Sequence, residues 1–249
     1  MASSVHRRSR VRAVMVLALV ASALVLIPVA SVSADATDDL LLTEVVVTPT
    51  EVEFVEIHNP TAVAIDLSDV YLTDATFAGG GTYYYNLPTG TNAGGGGFAD
   101  FFARFPAGAS IGAGQHQTIA LNGSDNFVAT YGIDPTYELY EDAAAADAIP
   151  DMLEATTGSI AGQGGLTNGG EVVVLFRWDG ASDLVADIDY FVWGDKVEAV
   201  DKSGVSIDGP DADSDASTYL DETPIDFQHA LAPSGDGHAV GSSWQRIDL

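Results

Sequence analysis

Six short apolar segments, separated by clusters of glycine, asparagine, aspartate and proline, constrain the fold of this chain more than any other feature. They span residues 40–47, 52–58, 64–73, 117–121, 171–178 and 184–193. All six are rich in Val, Ile, Leu and aromatic residues, a pattern that predicts strands of a mainly antiparallel sheet protein. The Asp179-Gly180 turn between the last two segments predicts that these two strands pair as a hairpin.

Helix-forming segments are few by the same criteria. Residues 124–131 (SDNFVATY) predict one short helix that begins at a Ser or Asp cap, and residues 142–148 are a second candidate. The chain contains no cysteine, so it has neither a disulfide framework nor a cysteine for lipid attachment. Its hydrophobic core alone must hold the fold.

Residues 1–34 have the order of an export signal. Arg7, Arg8, Arg10 and Arg12 precede an apolar run over residues 13–30, and a stretch of small residues ends at Ala34. The alternative is an uncleaved membrane anchor, and both interpretations imply export. We therefore expect a signal peptide at residues 1–34, one β domain at residues 35–249, and a protein that is secreted or held at the cell surface.

Positive charge is scarce after residue 34. Four of the nine basic residues lie in the predicted signal peptide, which leaves five against 36 acidic residues and a net charge of 5 − 36 = −31. A field of this sign repels nucleic acids and anionic membrane surfaces, so neither is expected as a partner, and it attracts cations such as calcium. The simpler account is a solvated acidic surface suited to a salty or calcium-containing medium.

Two insertions interrupt the strand pattern, at about residues 75–115 and 134–170. The first combines glycine runs with too many aromatic residues for a plain linker, so we expect an ordered segment. It is either an aromatic binding surface or a lid whose rings cap one open end of the sandwich. The second ends in a flexible glycine-rich connection at residues 158–170. The aromatic residues of the first insertion are Tyr83, Tyr84, Tyr85, Phe98, Phe101, Phe102 and Phe105.

Local catalytic signatures are weak. Residues 108–112 match the Gly-x-Ser-x-Gly nucleophile pattern, but they lie in a Gly/Ala loop without the strand and helix that the motif requires. The histidines are scattered without zinc-site spacing, and no glycine loop has the phosphate-binding form. These patterns predict a protein that is not an enzyme.

One acidic segment, DGPDADSDASTYLDE at residues 208–222, has the oxygen-ligand spacing of a calcium loop. The candidate metal ligands are Asp211, Asp213, Asp215 and Glu222. The spacing follows the first, third, fifth and twelfth positions of the helix-loop-helix calcium loop, but Ala216 replaces the turn glycine and prolines flank the segment. The segment is therefore either a noncanonical Ca²⁺ loop or a solvated acidic connection.

Glu44 and Glu56 each interrupt an apolar segment on neighbouring predicted strands. Strand alternation places Glu56 on the same face as Phe54, so a buried Glu56 carboxylate needs hydrogen-bond donors. Arg246 and the Thr43 hydroxyl are candidate partners, with Arg246 able to pair with either glutamate. We interpret the two glutamates as structural, and the alternative is a general acid–base pair.

The segments LLLTEVVV (40–47), EFVEIHNPTAVAIDLSDVYLTDA (53–75) and GSSWQRI (241–247) resemble the lamin tail domain family, and in particular an exported bacterial member. The matching positions are Glu44, Glu53, Phe54, Glu56, Asn59, Asp66, Leu67, Ser68, Leu72, Asp74, Ser243 and Arg246. The resemblance implies an immunoglobulin-like β-sandwich, and it makes the two glutamates markers of the fold. Residues 75–115 and 134–170 depart from the compact family pattern.

The expected structure is an all-β, immunoglobulin-like sandwich of lamin-tail type with a Gly/aromatic-rich insertion and one or two short helices. The resemblance implies a non-catalytic exported module that binds or scaffolds at the cell surface or in the extracellular space. Its partner is an unidentified protein or glycan, and Ca²⁺ is a candidate stabilising ion. The alternative is a secreted carboxylate-dependent hydrolase whose site lies beneath the aromatic insertion.

Export processing gives a first test. We expect cleavage near Ala34, because the order of basic, apolar and small residues before it is that of a signal peptide. Intact-mass spectrometry of the exported protein should give a chain that starts near Asp35, and a chain that starts at Met1 would contradict the expectation.

Overall fold

Two five-stranded β-sheets pack face to face in the part of the chain that the structure, a computed structural model, describes. That part comprises residues 40–77, 81–142, 147–194, 199–228, 230 and 239–247. Sheet 1 contains β1 (Leu41–Val46), β2 (Phe54–His58), β9 (His116–Ala120), β10 (Tyr137–Glu138) and β16 (Trp244–Gln245), in the order β10-β9-β2-β1-β16. Sheet 2 contains β4 (Val70–Thr73), β7 (Phe102–Arg104), β11 (Leu153–Glu154), β12 (Glu171–Arg177) and β13 (Ala186–Trp193), in the order β11-β7-β4-β12-β13.

Smaller elements connect the two sheets. Three two-stranded ribbons pair β3 (Ile65–Asp66) with β8 (Ser110–Ile111), β5 (Thr76–Phe77) with β6 (Thr82–Tyr83), and β14 (Ser206–Ile207) with β15 (Ser217–Thr218). The described α-helix is α1 (Asp125–Tyr131), and short 3-10 turns span Thr50–Val52, Tyr84–Thr89 and Ile225–Phe227. No helix of the described residues is long and apolar enough to cross a bilayer. The predicted all-β class is confirmed.

The main hydrophobic core lies between the two sheets. Leu42, Val45, Val55, Ile57 and Ile119 of sheet 1 share one cluster with Leu72, Ala103, Val173, Leu175, Phe191 and Trp193 of sheet 2. Trp193 is fully buried, and its indole N–H donates to the Thr167 carbonyl at 2.8 Å, so the ring enters the core without an unmet donor. Burial of this apolar surface is what holds a chain without disulfides together.

The predicted strands are found with small shifts at their ends. The predicted hairpin is confirmed, because β12 and β13 pair antiparallel with Glu171 opposite Trp193. The predicted strand at residues 64–73 is wrong as one element, since it divides into β3 and β4. The division occurs where the Asp66 side chain accepts the Ser68 N–H at 2.7 Å and turns the chain.

Helix α1 covers one end of the outer face of sheet 1. Phe127 packs edge-on against Phe54 with ring centroids 5.5 Å apart, which explains why Phe54 is buried although it faces away from the main core. Ser124 occupies the predicted N-cap position, but its hydroxyl donates to Asp147 instead of capping the helix. The second predicted helix, at residues 142–148, has residues 143–146 outside the described part of the chain.

The aromatic segment at residues 75–115 is more than an insertion. It contributes β7, which hydrogen-bonds to β4 on one side and β11 on the other. Its buried rings divide between the main core and a second cluster on the outer face of sheet 2. Phe101 and Phe105 join the main core, whereas Tyr84, Tyr85 and Phe102 join the second cluster. The lid hypothesis placed these rings at an open end of the sandwich, but the second-cluster rings lie on the outer face of a sheet.

Two buried carboxyl groups fasten loops to the sheets. Glu53 is 1% exposed, and its Oε2 accepts the Leu166 N–H at 2.8 Å. Burial raises the pKa of Glu53 from 4.5 to about 8, against the lowering effect of this hydrogen bond. Asp74 accepts the Phe101 N–H at 2.7 Å, and burial, followed by the nearby charge of Glu171, raises its pKa well above its ordinary value.

Glu53 predicts a loss of stability as pH rises. Between pH 4.5 and about 8 the unfolded chain has released the Glu53 proton while the folded chain still holds it, so the free energy of unfolding falls with pH across this window. We expect Glu53→Gln to remove this part of the slope, a difference on the order of a few kcal/mol across the window.

Urea unfolding at several pH values measures this effect. The gap between the Glu53→Gln and wild-type free energies of unfolding should change between pH 4.5 and 8 and stay constant below that range. The matched control is Asp134→Asn, which removes one negative charge at an exposed position away from Glu53. Parallel stability curves for wild type and Glu53→Gln would contradict the assignment.

Candidate functional site

A pocket of about 390 Å³ opens on the outer face of sheet 2, where the chain after β13 crosses β12 and β13. Three valines, Val172, Val174 and Val192, form an apolar part of its lining. Its remaining lining residues are Tyr84, Asp187, Tyr190, Val200, Asp221, Glu222, Thr223 and Gln228. This β12–β13 pocket thus combines an apolar surface with carboxylates and two tyrosines, a composition typical of small-ligand sites.

A buried lysine organises the polar side of this pocket. The Lys202 Nζ binds the carboxylates of both Asp187 and Glu222, and its side chain is only 7% exposed. The Tyr84 hydroxyl donates to both oxygens of Asp187, at 2.9 and 2.8 Å. The Lys202 backbone N–H also donates to Glu222 Oε2 at 3.0 Å. We call Lys202, Asp187, Glu222 and Tyr84 the Lys202 cluster.

Electrostatics keep the Lys202 ammonium charged. Burial acts to lower the pKa of Lys202, but the carboxylates of Asp187 and Glu222 outweigh it and the net shift is upward. Burial raises the pKa of Asp187, and Lys202 opposes that shift. Burial and the Asp187 charge together raise the pKa of the Tyr84 hydroxyl well above its ordinary value. A protonated lysine and a neutral tyrosine are hydrogen-bond donors to the carboxylates, not nucleophiles.

The sequence did not identify the Lys202 cluster as a site, although one signal was present. Lys202 is one of five basic residues after residue 34 in a strongly acidic chain. In a chain with so few cations, each lysine is a candidate partner for carboxylates that would be costly to bury without one. The identity of the carboxylates depends on which loop returns to β13, and no local pattern encodes that.

The four predicted calcium ligands do not form a group in the structure. Asp211, Asp213 and Asp215 are exposed in the loop between β14 and β15, where successive backbone N–H groups donate to the preceding Asp side chains. Glu222 instead lies in the β12–β13 pocket, bound to Lys202. Within the described residues, Asp211 shares a group of close carboxylates with Asp183 and Asp208.

In the group of Asp183, Asp208 and Asp211, the carboxylate of Asp183 already accepts hydrogen bonds from the backbone. Asp183 accepts the Gly209 N–H at 2.8 Å and the Ser217 N–H at 3.0 Å, so both of its oxygens fasten the β14–β15 ribbon. The Ser217 hydroxyl has the largest effect in lowering the pKa of Asp183, followed by the Gly209 N–H. Calcium binding by the loop at residues 211–222 stays a prediction.

Glu44 and Glu56 lie directly opposite each other on β1 and β2. The Glu56 side chain is 20% exposed, and Oε1 accepts the Thr43 hydroxyl at 2.7 Å and lies 2.9 Å from His116 Nδ1. Glu56 is largely buried, and its predicted contact with the Thr43 hydroxyl is confirmed. Glu44 Oε1 accepts the Gln245 side-chain amide at 3.0 Å. The two carboxylates are thus engaged within the sheet.

The predicted pairing of Arg246 with either glutamate is wrong. Arg246 Nη2 contacts Asp189 Oδ2 at 2.6 Å, and its Nε donates to the Leu42 carbonyl at 3.2 Å. Asp189 Oδ2 also accepts the Leu42 N–H at 2.9 Å. Arg246 therefore joins β1 of sheet 1 to β13 of sheet 2 through Asp189, whose other oxygen accepts the Tyr190 N–H at 3.0 Å.

Comparisons with known proteins leave the family open. No family model matches the chain, and no curated protein matches it. One solved structure that it resembles is the crystal structure of a DUF4876 family protein from Bacteroides thetaiotaomicron, with 18% sequence identity and a TM-score of 0.43. The similarity covers 62% of this chain and 53% of that one, so the chain spans about half the length of that protein.

The Lys202 cluster predicts a large effect of one substitution. Lys202→Met removes the ammonium and leaves two carboxylates beside each other with no cation, so we expect a loss of about 3 kcal/mol in the free energy of unfolding. Chemical denaturation measures it. Adding Asp187→Asn and Glu222→Gln to Lys202→Met should recover most of the loss, because no charge then remains uncompensated.

The size of the effect separates two interpretations of this cluster. A loss below about 1 kcal/mol for Lys202→Met, the range of exposed ion pairs, would contradict a structural role for the buried lysine. No recovery in the triple variant would show that lost packing, not charge, causes the effect.

Proposed function

We propose that this protein is a non-catalytic, exported binding module, an immunoglobulin-like β-sandwich of lamin-tail type, which acts at the cell surface or in the extracellular space. The observation that carries the proposal is the way Lys202 and Tyr84 hold the carboxylates of the β12–β13 pocket. Carboxylates fixed by an ammonium and a tyrosine hydroxyl form an ordered surface of hydrogen-bond acceptors. They are less suited than free carboxylates to exchange protons with a substrate.

The residues that carry the family resemblance support the lamin-tail assignment through what they do. The Asn59 side-chain amide donates to the carbonyls of Val63, Ile111 and Gly112, at 2.7, 3.1 and 3.1 Å, and so fixes the loop after β2. Asp66 turns the chain between β3 and β4. These positions hold loops of a sandwich in place, which is the role expected of residues that mark a fold.

The chemistry of the pocket selects the class of ligand. Asp187, Asp221 and Glu222 outnumber the single ammonium of Lys202, so the pocket favours neutral or cationic groups over anions. Tyr190, 45% exposed, offers a ring for stacking beside the apolar surface. A glycan, with hydroxyl donors and apolar sugar faces, meets both requirements, and so does a basic segment of a partner protein. Nucleic acid and anionic lipid do not.

A binding screen tests the proposal. The probes are a panel of neutral oligosaccharides and a panel of Lys/Arg-containing peptides, with affinity measured by calorimetry. We expect Tyr190→Ala to weaken binding of any hit by about fivefold or more, since stacking on an aromatic ring is worth about 1 kcal/mol or more.

The matched control is Phe98→Ala, which removes a 99% exposed ring at a loop of the aromatic segment, outside the pocket lining. Unchanged binding in Phe98→Ala supports the pocket. Loss of binding in Phe98→Ala with none in Tyr190→Ala would overturn the pocket and favour the aromatic segment as the binding surface.

One observation favours the alternative, a secreted hydrolase. Asp187 and Glu222 converge on one lysine inside a pocket that Tyr84 of the aromatic segment lines, which is the place where a site beneath that segment was expected. In a glycosidase two carboxyl groups flank the bond that breaks. Product formation from an oligosaccharide hit, abolished by both Asp187→Asn and Glu222→Gln while binding persists, would establish the enzyme and overturn the non-catalytic proposal.

A further inference from the structure

A second acidic cluster lies at the edge of sheet 1, with no residue in common with the β12–β13 pocket. It consists of Glu138 in β10, Glu141 and Asp147, and one carboxylate oxygen from each lies within 4.8 Å of one oxygen from each of the others. Like charges at this separation repel unless a proton or a cation lies between them. We call these three residues the Glu138 cluster.

Glu138 distinguishes this cluster from an ordinary acidic surface. The residue is fully buried, and neither of its carboxylate oxygens accepts a hydrogen bond of acceptable geometry from the described residues. The Ser124 hydroxyl lies near Glu138, but it donates to Asp147 Oδ2 at 3.1 Å. Buried carboxylates are normally hydrogen-bonded or paired with a cation, because desolvation strongly disfavours an isolated charge. Its unpartnered oxygens, placed beside two further carboxylates, are therefore an independent indication of a ligand.

The backbone fixes Glu138 in this position. Its N–H donates to the Pro150 carbonyl at 3.1 Å, and its carbonyl accepts the Met152 N–H at 2.8 Å. The next residue, Leu139, donates its N–H to the Ala120 carbonyl in β9 at 2.8 Å. Because the strand is held from both sides, the carboxylate cannot move to solvent by a shift of the chain.

Hydrogen bonds also orient the other two carboxylates. The Asp147 N–H donates to Glu141 Oε2 at 3.0 Å, and the Ser124 hydroxyl donates to Asp147 Oδ2 at 3.1 Å. The Ile149 N–H donates to Asp147 Oδ1 at 2.6 Å. Glu141 is half-buried and Asp147 is exposed, so the cluster has one buried side and one side that water can reach.

We propose that Glu138, Glu141 and Asp147 bind a calcium ion, at a site separate from the loop at residues 211–222 and independent of the proposed ligand pocket. All three donors are carboxylate oxygens, which hard cations prefer, and the cluster contains no sulfur or imidazole to favour zinc. The three oxygens lie within 4.8 Å of one another, close enough for one calcium ion, whose bonds of 2.3–2.6 Å allow oxygens up to about 4.6–5.2 Å apart. Magnesium requires near-ideal octahedral geometry and gives up its water reluctantly, so a group of three carboxylates favours calcium. Water molecules on the open side complete the coordination.

Calorimetric titration with CaCl₂ tests the site directly. We expect one equivalent of calcium to bind to the Glu138 cluster with a Kd of about 10⁻⁴–10⁻³ M, the range of extracellular modules. Glu138→Gln and Glu141→Gln, which keep size and shape, should each weaken this binding at least tenfold. The matched control is Asp213→Asn, which removes one negative charge at an exposed position of the other acidic loop and should leave this binding unchanged.

Thermal melting gives a second readout. At a calcium concentration tenfold above Kd the wild-type Tm should rise by about 3–6 °C, because a ligand bound only by the folded state stabilises it. Magnesium and sodium at matched ionic strength should give a smaller rise. The calcium effect should be lost in Glu138→Gln, whose near-ultraviolet circular dichroism shows whether it is folded.

Three results would overturn the site. The first is equal calcium affinity in wild type and Glu138→Gln. The second is loss of all calcium binding in Asp213→Asn alone, which would place the ion in the loop at residues 211–222. The third is an equal Tm rise in all three salts, which would reduce the effect to screening of the net charge. None of these results bears on the oligosaccharide and peptide screen, so the two proposals fail separately.

Discussion

A shortage of positive charge is the constraint on which the rest of this structure depends. Residues 35–249 contain five basic side chains and 36 acidic ones, so most carboxylates cannot have a cation of their own. Two of the described cations lie where separate parts of the chain meet. Arg246 connects β1 to β13 through Asp189, and Lys202 connects the chain after β13 to that same strand through Asp187. Strand β13 is therefore held by two cations, one on the sheet 1 side and one in the pocket.

Carboxyl groups that receive no cation are neutralised in other ways. Glu53 and Asp74 accept backbone N–H groups from distant loops, and burial raises the pKa of each, so both favour the protonated form. Asp183 closes the β14–β15 ribbon with two backbone N–H groups and keeps a lowered pKa. A buried carboxyl group in this protein is thus stabilised by hydrogen-bond donors, by a proton or by a cation, depending on which of them its surroundings supply. The Glu138 cluster is where described donors do not reach a buried carboxylate.

The sequence predicted the parts of the fold that local pattern controls. The apolar runs located β1, β2, β9, β12 and β13, and the Asp-Gly turn paired the last two. It did not predict that β7 enters sheet 2, because a three-residue strand within glycine-rich sequence has no periodicity to detect. The partners of Arg246 and Glu222 were also beyond its reach. Each partner depends on which segments the fold brings together. An ion pair can join residues at any distance along the sequence, so no local pattern indicates which acid meets which base.

The position of the pocket follows from how sheet 2 is covered. The sequence of β12, EVVVLFR, shows no polar alternation, and all but its last residue are buried. The main core covers one face of this strand, and the second cluster, on the outer face of sheet 2, covers the other. The aromatic segment contributes to that second cover, with Tyr84 packed against Phe176 of β12. Over β12 and β13 the cover is the chain after residue 199, which needs Lys202 to bring Glu222 beside Asp187. Tyr219 packs this chain against Tyr85, whereas the ion pairs of Lys202 join it to β13, and the space beside those ion pairs is the pocket.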